Sequence, residues 1–513
     1  GLVRSFDEFF DCCCTYLRAN HKADYQEGFV GVPKEYVRMR DKKMSPVAGD
    51  AIKKKKKKNF KRGTFVFNKH GMISTEMKAE PLFKLDGVNA FKHKRKANVR
   101  VSTRRQQFCK PPEVSTDYYF ELHNVYKHNE EFDLGSHVIV DGNFETNKVT
   151  IQQQIDCRNF SGEPLPSLSD YGVMKTAVRD SIRKLQIVNL GDVNISDIHD
   201  FSFDLDTKPG YRYEHYLGAK CQADCVDVAV SISEERYKRV VKASREGRQI
   251  TRDEIIPGIY TIGARNQRRD GSEVGEVAKS RPVHMPEWHT ELHGGIFSDR
   301  ILAHIVEKGA GPIYIGNSFV KYERLEEQIK SNYCALEGDW SKFDASLSNS
   351  LITMAICILR LYFPPGLLYD NHFLAILDSL VVKDYHVVGG SVLRILHGVP
   401  SGSKWTGLIT SIINLLILNF SFSSVKYNDR SFAIGGDDFV TFIKDKKYDL
   451  LEIEEKVYDK ADILRMELKF LKIRDYTGSE DVNDYPVFYK YTVYDGKPVV
   501  PYESVLERIR RST

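Results

Sequence analysis

The stretch Ala433-Ile-Gly-Gly-Asp-Asp-Phe-Val-Thr-Phe-Ile443 decides how the rest of the chain is read. Two apolar, β-prone arms flank Gly435-Gly436-Asp437-Asp438, a pattern that predicts a hairpin with two carboxylates at its tip. Adjacent anions at the end of an apolar hairpin repel each other, and burial raises that cost, so a cation is the natural compensation. The tip therefore reads as a divalent-metal site. An ordinary surface turn is the plain alternative, because Gly-Asp is common turn chemistry. Two further stretches bear on the choice.

Upstream, Glu337-Gly-Asp339-Trp-Ser-Lys-Phe-Asp344 follows a strand-like Tyr333 to Leu336 and precedes a helical Ser348 to Leu361 rich in Ile and Leu. Asp339 and Asp344 then fall at a strand end and at the turn into a helix. One of them can cap that helix, which leaves the other for chemistry. Between this stretch and the hairpin, His397-Gly-Val-Pro-Ser401-Gly402-Ser-Lys-Trp-Thr406 runs into the uncharged segment Trp405 to Val425. A glycine-rich turn opening a helix offers backbone N–H groups and the positive end of the helix dipole to a phosphate or a ribose edge. Thr406, Thr410 and Asn414 share one helical face. A polar stripe on an apolar helix needs partners, supplied by structural hydrogen bonds or by a substrate.

With 513 residues, 42% hydrophobic and 28% charged, the chain is expected to bury large cores and to hold two or more subdomains. Its net charge of +5 hides an asymmetry: residues 1–110 sum to +16 and the remainder to −11. Six consecutive lysines, Lys53, Lys54, Lys55, Lys56, Lys57 and Lys58, cannot pack in a core. They read as a solvated arm that contacts RNA phosphates, with a flexible tail or a localisation signal as the alternative. Nine cysteines without a repeating framework fit a reducing compartment. Cys221 and Cys225 near His215 resemble half of a zinc site, but no second pair follows at ligand spacing. The run from Trp405 to Val425 is long enough to raise the question of a membrane span, yet Thr406, Thr410, Ser411, Asn414, Asn419 and Ser421 dot it, so a buried helix is expected and no transmembrane segment. Arg4, Asp7 and Glu8 argue against a signal peptide, and Gly1 in place of Met implies processing or a chosen boundary.

Along the chain, His137 to Val140 and Lys148 to Ile151 alternate like strands, and Tyr171 to Leu190 and Glu234 to Glu246 read as helices. From Asp204 to Gly218, a Pro209-Gly210-Tyr211 turn sits among further rings and Arg212, a mixture that tracks a single nucleic-acid strand. A polar, basic loop is expected from Gly263 to Arg281. Its Arg265, Arg268, Lys279 and Arg281 suit a triphosphate, because guanidinium forks pair bidentately with phosphate oxygens.

Taken in order, Asp339, Ser401-Gly402 and Asp437-Asp438 resemble motifs A, B and C in the palm of viral RNA-dependent RNA polymerases, and the forms DWSKFD and GVPSGSKWTGLITSIIN look most like those of double-stranded RNA viruses of partitivirus and picobirnavirus type. The resemblance implies an α/β (α+β) right-hand polymerase: an antiparallel-sheet palm, helical fingers and a short thumb, since only 75 residues follow Asp438. It divides the chain into a basic extension at 1–110 and fingers at 111–330, with motif G near 204–218 and motif F at 263–283. The palm follows at 331–475, with a fingers insertion near 365–395, and motif E with a residual thumb at 476–513. It further implies that Lys279 and Arg281, with Arg265 or Arg268, grip the incoming triphosphate, that Pro209, Gly210 and Tyr211 guide template, that Lys469 (with Lys472 as rival) protonates pyrophosphate, and that 488–498 cradles the primer strand.

The expected chemistry is attack of an RNA 3′-hydroxyl on the α-phosphorus of a ribonucleoside triphosphate. Asp339 and Asp437 bridge two Mg²⁺ or Mn²⁺ ions and Asp438 assists. Asp344 accepts from the 2′-hydroxyl, directly or through Asn414 or Thr406, because Thr410 stands where these families often carry Asn or Asp. A reverse transcriptase is the nearest competitor, disfavoured because it generally carries a bulky residue where Asp344 stands. A non-catalytic RNA-binding or capsid-associated protein is the competitor from another class. The expected partners are RNA template and product, ribonucleoside triphosphates and a capsid protein; the expected location is host cytoplasm or the virion interior.

Overall fold

The structure, a computed structural model of the chain, describes residues 1–21, 65–68, 71–74, 137–140, 168–200, 205–265, 267–270, 281–309, 311–316, 320–387, 391–395, 398–479 and 481–500. A four-stranded antiparallel sheet holds the central position, in the order β10-β11-β7-β12: β10 (Arg430–Gly435), β11 (Asp438–Ile443), β7 (Cys334–Trp340) and β12 (Leu468–Arg474). Alternation along the strands buries both of its faces. Cys334, Leu336, Trp340, Phe432, Ile434 and Phe439 enter the main core. Ala335, Ala433, Val440 and Phe442 enter a second cluster with Tyr314, Leu325 and Phe488. Gly338 has a steric reason to lack a side chain, since a Cβ there would lie 2.3 Å from Cζ of Phe439 on the neighbouring strand. The outer edge of β10 is covered by residues 312–314: Ile434 N donates to Pro312 O at 2.9 Å and Tyr314 N to Ile434 O at 2.7 Å.

Helix α9 (Thr406–Ser421) explains the uncharged run. From Leu408 to Ser421 every residue is buried, because α2 (Leu168–Leu185), α7 (Asn349–Arg360), α10 (Leu450–Ile463) and β10 surround it. Among the described residues no helix is long and apolar enough to cross a membrane. Helix α1 (Leu2–His21) packs on α7, on α8 (Leu367–Val381) and on α2. Its Cys13 Sγ lies 3.8 Å from Cys357 Sγ, and the Tyr16 hydroxyl donates to Asp378 at 3.0 Å. One face of this helix, with Phe6, Phe9, Cys13, Tyr16 and Leu17, therefore belongs to the core, although its position groups it with the basic front end. All seven described cysteines are free, and no metal-binding cluster forms around Cys221 and Cys225 among the described residues.

A second four-stranded sheet has the order β6-β4-β8-β9, from β6 (Arg281–Met285), β4 (Ile259–Arg265), β8 (Lys383–Val387) and β9 (Ser391–Ile395); β4 and β8 run parallel and the other pairs antiparallel. Residues 365–395 thus contribute α8 and two strands to the sheet that carries Arg265 and Arg281. Helices α3 (Val226–Arg245) and α4 (Trp288–Lys308) pack together, and α3 also packs on α8. The remaining strands form pairs: β1 (Phe65–Asn68) with β2 (Gly71–Ser74), β3 (His137–Val140) with β5 (Gln267–Asp270), and β13 (Thr492–Tyr494) with β14 (Lys497–Val499). Helix α5 (Val320–Ser331) and the single turn α6 (Phe343–Ser346) complete the set used below.

Three sequence expectations are corrected. The helix read from Glu234 begins at Val226, the one read to Leu190 ends at Leu185, and the basic loop read from Gly263 is strand through Arg265, at 267–270 and from Arg281. The segment 148–151 lies outside the described residues.

Candidate active site

The tip of the β10–β11 hairpin is a two-residue turn. Gly435 and Asp438 form the last pair, and Gly436 takes a φ of +65°, the left-handed region in which glycine carries no Cβ penalty. Phe439 pairs with Gly338, so Asp438 lies one residue further along, beside Asp339 on the adjacent strand, about 5 Å away at the usual strand spacing. Burial, then the neighbouring Asp437 and Asp339 carboxylates, push Asp438 up to about 7, while Lys490 and Lys469 pull it the other way. Strand β12 is irregular between Leu468 and Phe470, where Phe470 pairs with Asp339. The intervening Lys469 places its Nζ 3.2 Å from Asp339 Oδ2.

Helix α9 braces this turn. Ser411 Oγ accepts from Gly436 N at 2.9 Å, and Asn414 Nδ2 donates to the carbonyls of Gly436 at 2.9 Å and Asp437 at 3.3 Å. Asn414 Oδ1 accepts from Trp340 Nε1 at 3.0 Å, so one buried amide ties the residue after Asp339 to the turn that carries Asp437. The Asn414 amide, expected to reach a ribose directly or as a relay, is here bonded to Trp340, Gly436 and Asp437. The rest of the polar stripe is likewise bonded at home, with Thr406 Oγ1 donating to Pro400 O and Thr410 Oγ1 to Thr406 O.

The loop before α9 is stitched to both neighbours. Gly398 N donates to Leu347 O at 2.8 Å and Val399 N to Asp344 O at 2.7 Å, which locks the loop's start to α6. Ser401 Oγ accepts from His284 N at 3.3 Å, and a Cβ on Gly402 would lie 2.2 Å from His284 O. Glycine is thus needed at 402 by the close approach of β6. Neither Asp339 nor Asp344 caps α7. The cap is Ser348, whose side chain accepts from Leu351 N, so both aspartates are left to other work.

A family model described as viral RNA-dependent RNA polymerase matches residues 168–483. The chain belongs to that family. Similar proteins include the genome polyprotein of Rice tungro spherical virus (strain Vt6), 21% identical over 325 residues, which cover 58% of this chain and 9% of that polyprotein. The genome polyprotein of human hepatitis A virus genotype IA (isolate HAS-15) is 29% identical over 154 residues, 28% of this chain and 7% of the other. That of Cosavirus A is 32% identical over 110 residues, covering 21% and 5%. The matched segments thus span under a tenth of these polyproteins. These likenesses do not show the partitivirus or picobirnavirus type.

In this member of the family the Pro209-Gly210-Tyr211 turn sits against the start of α4. Trp288 N donates to Pro209 O at 3.0 Å, and Gly210, at φ +108°, would place a Cβ 2.8 Å from the Glu287 backbone. Next to it Arg212 and Glu287 form a fully buried ion pair, in which Glu287 also accepts from the backbone N of Arg212 and Ile259, at 3.0 and 3.1 Å. Arg265 and Arg281 are direct partners across β4 and β6, whereas Arg268 lies on β5 opposite Ile139. Lys279 and Lys53 to Lys58 lie outside the described residues.

The 488–491 segment reaches the tip from the other side. Phe488 and Tyr491 bridge, and the two residues between them, Tyr489 and Lys490, have φ of 53° and 65°. This is the two-residue turn otherwise favoured by Asn-Gly, here built from bulky residues. The Tyr489 hydroxyl fills the space over Gly435, where a Cβ would lie 1.6 Å from it. Burial and the nearby Asp438 and Asp437 hold the Tyr489 phenol above its ordinary range.

The donor set at the tip is all carboxylate oxygen, the chemistry of Mg²⁺ and Mn²⁺ sites. Among the described residues no group of three ligating side chains is gathered closely enough to hold an ion as it stands, and the Lys469 amine supplies the positive charge at Asp339. The residues fit a divalent cation by charge: Asp438 retains its proton to near-neutral pH because burial, and then the two carboxylates beside it, oppose its ionisation. Sequence reading missed Ser411 and Glu337, whose carboxylate accepts from Arg474 Nη2 and Val487 N, each at 2.7 Å. Only the position of Ser411, three residues before Asn414 on the same helix face, offered a signal.

Proposed function

We propose that the chain is an RNA-directed RNA polymerase that extends an RNA 3′ end with ribonucleoside triphosphates on an RNA template, in viral genome replication and transcription. The observation that carries this reading is Asp438 held beside Asp437 and Asp339 at a turn fixed by α9, in a chain of the viral polymerase family. Asp339 and Asp437, with Asp438 assisting, would hold two Mg²⁺ or Mn²⁺ ions, which when bound would acidify the attacking hydroxyl and neutralise charge on the phosphates.

The chain's own residues do the rest. Arg281 and its cross-strand partner Arg265, with Lys279, grip the triphosphate through guanidinium and ammonium donors. Asp344 accepts from the 2′-hydroxyl, and its carbonyl fixes the loop bearing Ser401 and Gly402. Lys469, whose Nζ lies 3.2 Å from Asp339 Oδ2, would give a proton from that ammonium to the leaving pyrophosphate and be left as the neutral amine. The turn at Pro209, Gly210 and Tyr211 guides the template and the lysine run contacts phosphates. The likeness to partitivirus and picobirnavirus polymerases rests on the two motif forms alone.

The test is primed against primer-independent synthesis on a defined RNA template with Mg²⁺ or Mn²⁺, beside Asp437→Ala. Metal-dependent incorporation of ribonucleotides, lost in a folded Asp437→Ala protein by a factor of about 10³ or more, is expected. Near-normal incorporation by that variant overturns the assignment.

A further inference from the structure

The loop at 400–405 is fastened to α4 by three successive residues. Ser403 Oγ donates to Glu291 Oε1 at 3.0 Å, Lys404 N donates to Glu291 Oε2 at 2.6 Å, and Lys404 Nζ pairs with Asp299 at 2.7 Å. Trp405 then lies against Gly294, where a Cβ would stand 2.5 Å from its indole nitrogen. Positions 291, 294 and 299 are about one and two helical turns apart, so a single face of α4 receives the loop. Glu291 is buried, yet it contributes nothing to the acids at the tip and is not among the residues that the motifs mark.

We propose that Glu291 is a positioning residue for nucleotide selection: by accepting from two consecutive residues of the loop, its carboxylate sets Ser401 and Gly402 for the incoming nucleotide. This rests on the polymerase reading above. An ionised carboxylate accepts at both oxygens, whereas a neutral carboxyl carries a proton on one of them and turns that oxygen into a donor. Burial raises Glu291 to about 7, opposed by the bonds from Lys404 and Ser403 and by the Lys404 charge, and reinforced by Asp299. From the other side Arg236 on α3 and Tyr260 on β4 face it. The clamp is therefore complete above neutral pH and loses one acceptor below it.

The test compares the wild type with Glu291→Gln and Ser403→Ala. Steady-state incorporation is followed from pH 6 to 8.5 at saturating Mg²⁺, which keeps Asp438 ionised, together with hydrogen exchange of peptides spanning 398–405 in nucleotide-free protein. Expected is a KM for nucleotide that rises roughly three- to tenfold in Glu291→Gln at pH 8, more than kcat changes, with faster exchange of the loop. The wild-type KM should climb towards the variant's as pH falls through about 7, while Glu291→Gln stays flat and Ser403→Ala shows a smaller rise with the pH dependence kept. Unchanged exchange in Glu291→Gln, or faster exchange with an unaltered KM profile, overturns the proposal. If the wild type incorporates no nucleotide at all, the polymerase reading fails instead, and the exchange comparison still decides whether Glu291 holds the loop.

Discussion

Two loops flank helix α9, and opposite kinds of chemistry hold them, one fastened to α4 and the other bonded to α9 itself. At its middle, Ser411 and Asn414 hold the Gly436–Asp437 turn through neutral, buried hydrogen bonds. At its start, the 400–405 loop is fastened by the Glu291 carboxylate and the Lys404–Asp299 pair. Neutral donors and acceptors keep their roles at any working pH, so the turn that carries the acids is fixed. A carboxylate and an ion pair respond to protons and salt, so the 400–405 loop is adjustable. Under the proposed reading the acids need invariance and the 400–405 loop needs motion, and each is held by the bond type that supplies it.

The contrast is broken most severely at Asn414. Asn414→Ala leaves Trp340 Nε1 and two turn carbonyls without their partner, and a loss of roughly 2–4 kcal/mol in unfolding free energy with a fall in kcat of about 10²-fold is expected. Ser411→Ala should lose about 1 kcal/mol. Denaturant unfolding and single-nucleotide kinetics check both, and a wild-type kcat in Asn414→Ala would show that the turn holds itself.

Gly435→Ala comes next, because its Cβ meets the Tyr489 hydroxyl; a destabilisation of about 1–3 kcal/mol is expected. Adding Tyr489→Ala should recover part of the folding free energy, and recovery of none would place the clash elsewhere.

A third measurement sharpens the contrast in pH. In the folded chain Asp438 keeps its proton up to about 7, whereas an unfolded aspartate releases it near ~4, so between these values the folded state binds the extra proton and metal-free stability falls as pH rises. A divalent cation must displace that proton. The rise in Tm on adding Mg²⁺ should therefore be larger at pH 8 than at pH 6, and Asp438→Asn should flatten the difference in a thermal-shift titration.

The smallest effect is expected at Asp344. Asp344→Ala should lower the preference for ribo- over deoxyribonucleotides by about tenfold while the metal-induced Tm shift persists. An unchanged preference in a nucleotide-competition assay removes its sugar-reading role.

What the sequence disclosed and what it concealed divide along a physical line. The hairpin at 433–443 was legible because apolar alternation around Gly-Gly-Asp-Asp is a local pattern, and the buried helix because an uncharged run of that length has few other uses. The central strand and the helix after it were placed within a few residues, but the cap was assigned to an aspartate when Ser348 fills it, since several residues near a boundary can satisfy the same rule. Asn414 was recognised as a polar residue that needs partners, yet those partners, Trp340 and Gly436, come from segments that only the fold brings together. The Glu291 clamp and the Arg212–Glu287 pair left no trace for the same reason: each joins positions some 75 to 113 residues apart, and no periodicity reports such a bond.

The contact between Gly402 and the His284 carbonyl has a mechanical consequence. Backbone meets backbone there with no side chain to absorb a displacement, and β6 carries Arg281 at its other end. A displacement of that strand at Arg281 is therefore passed to the Ser401–Gly402 loop through main chain alone. Under the polymerase reading proposed above, the phosphate end and the sugar end of a nucleotide would be coupled through one continuous length of main chain.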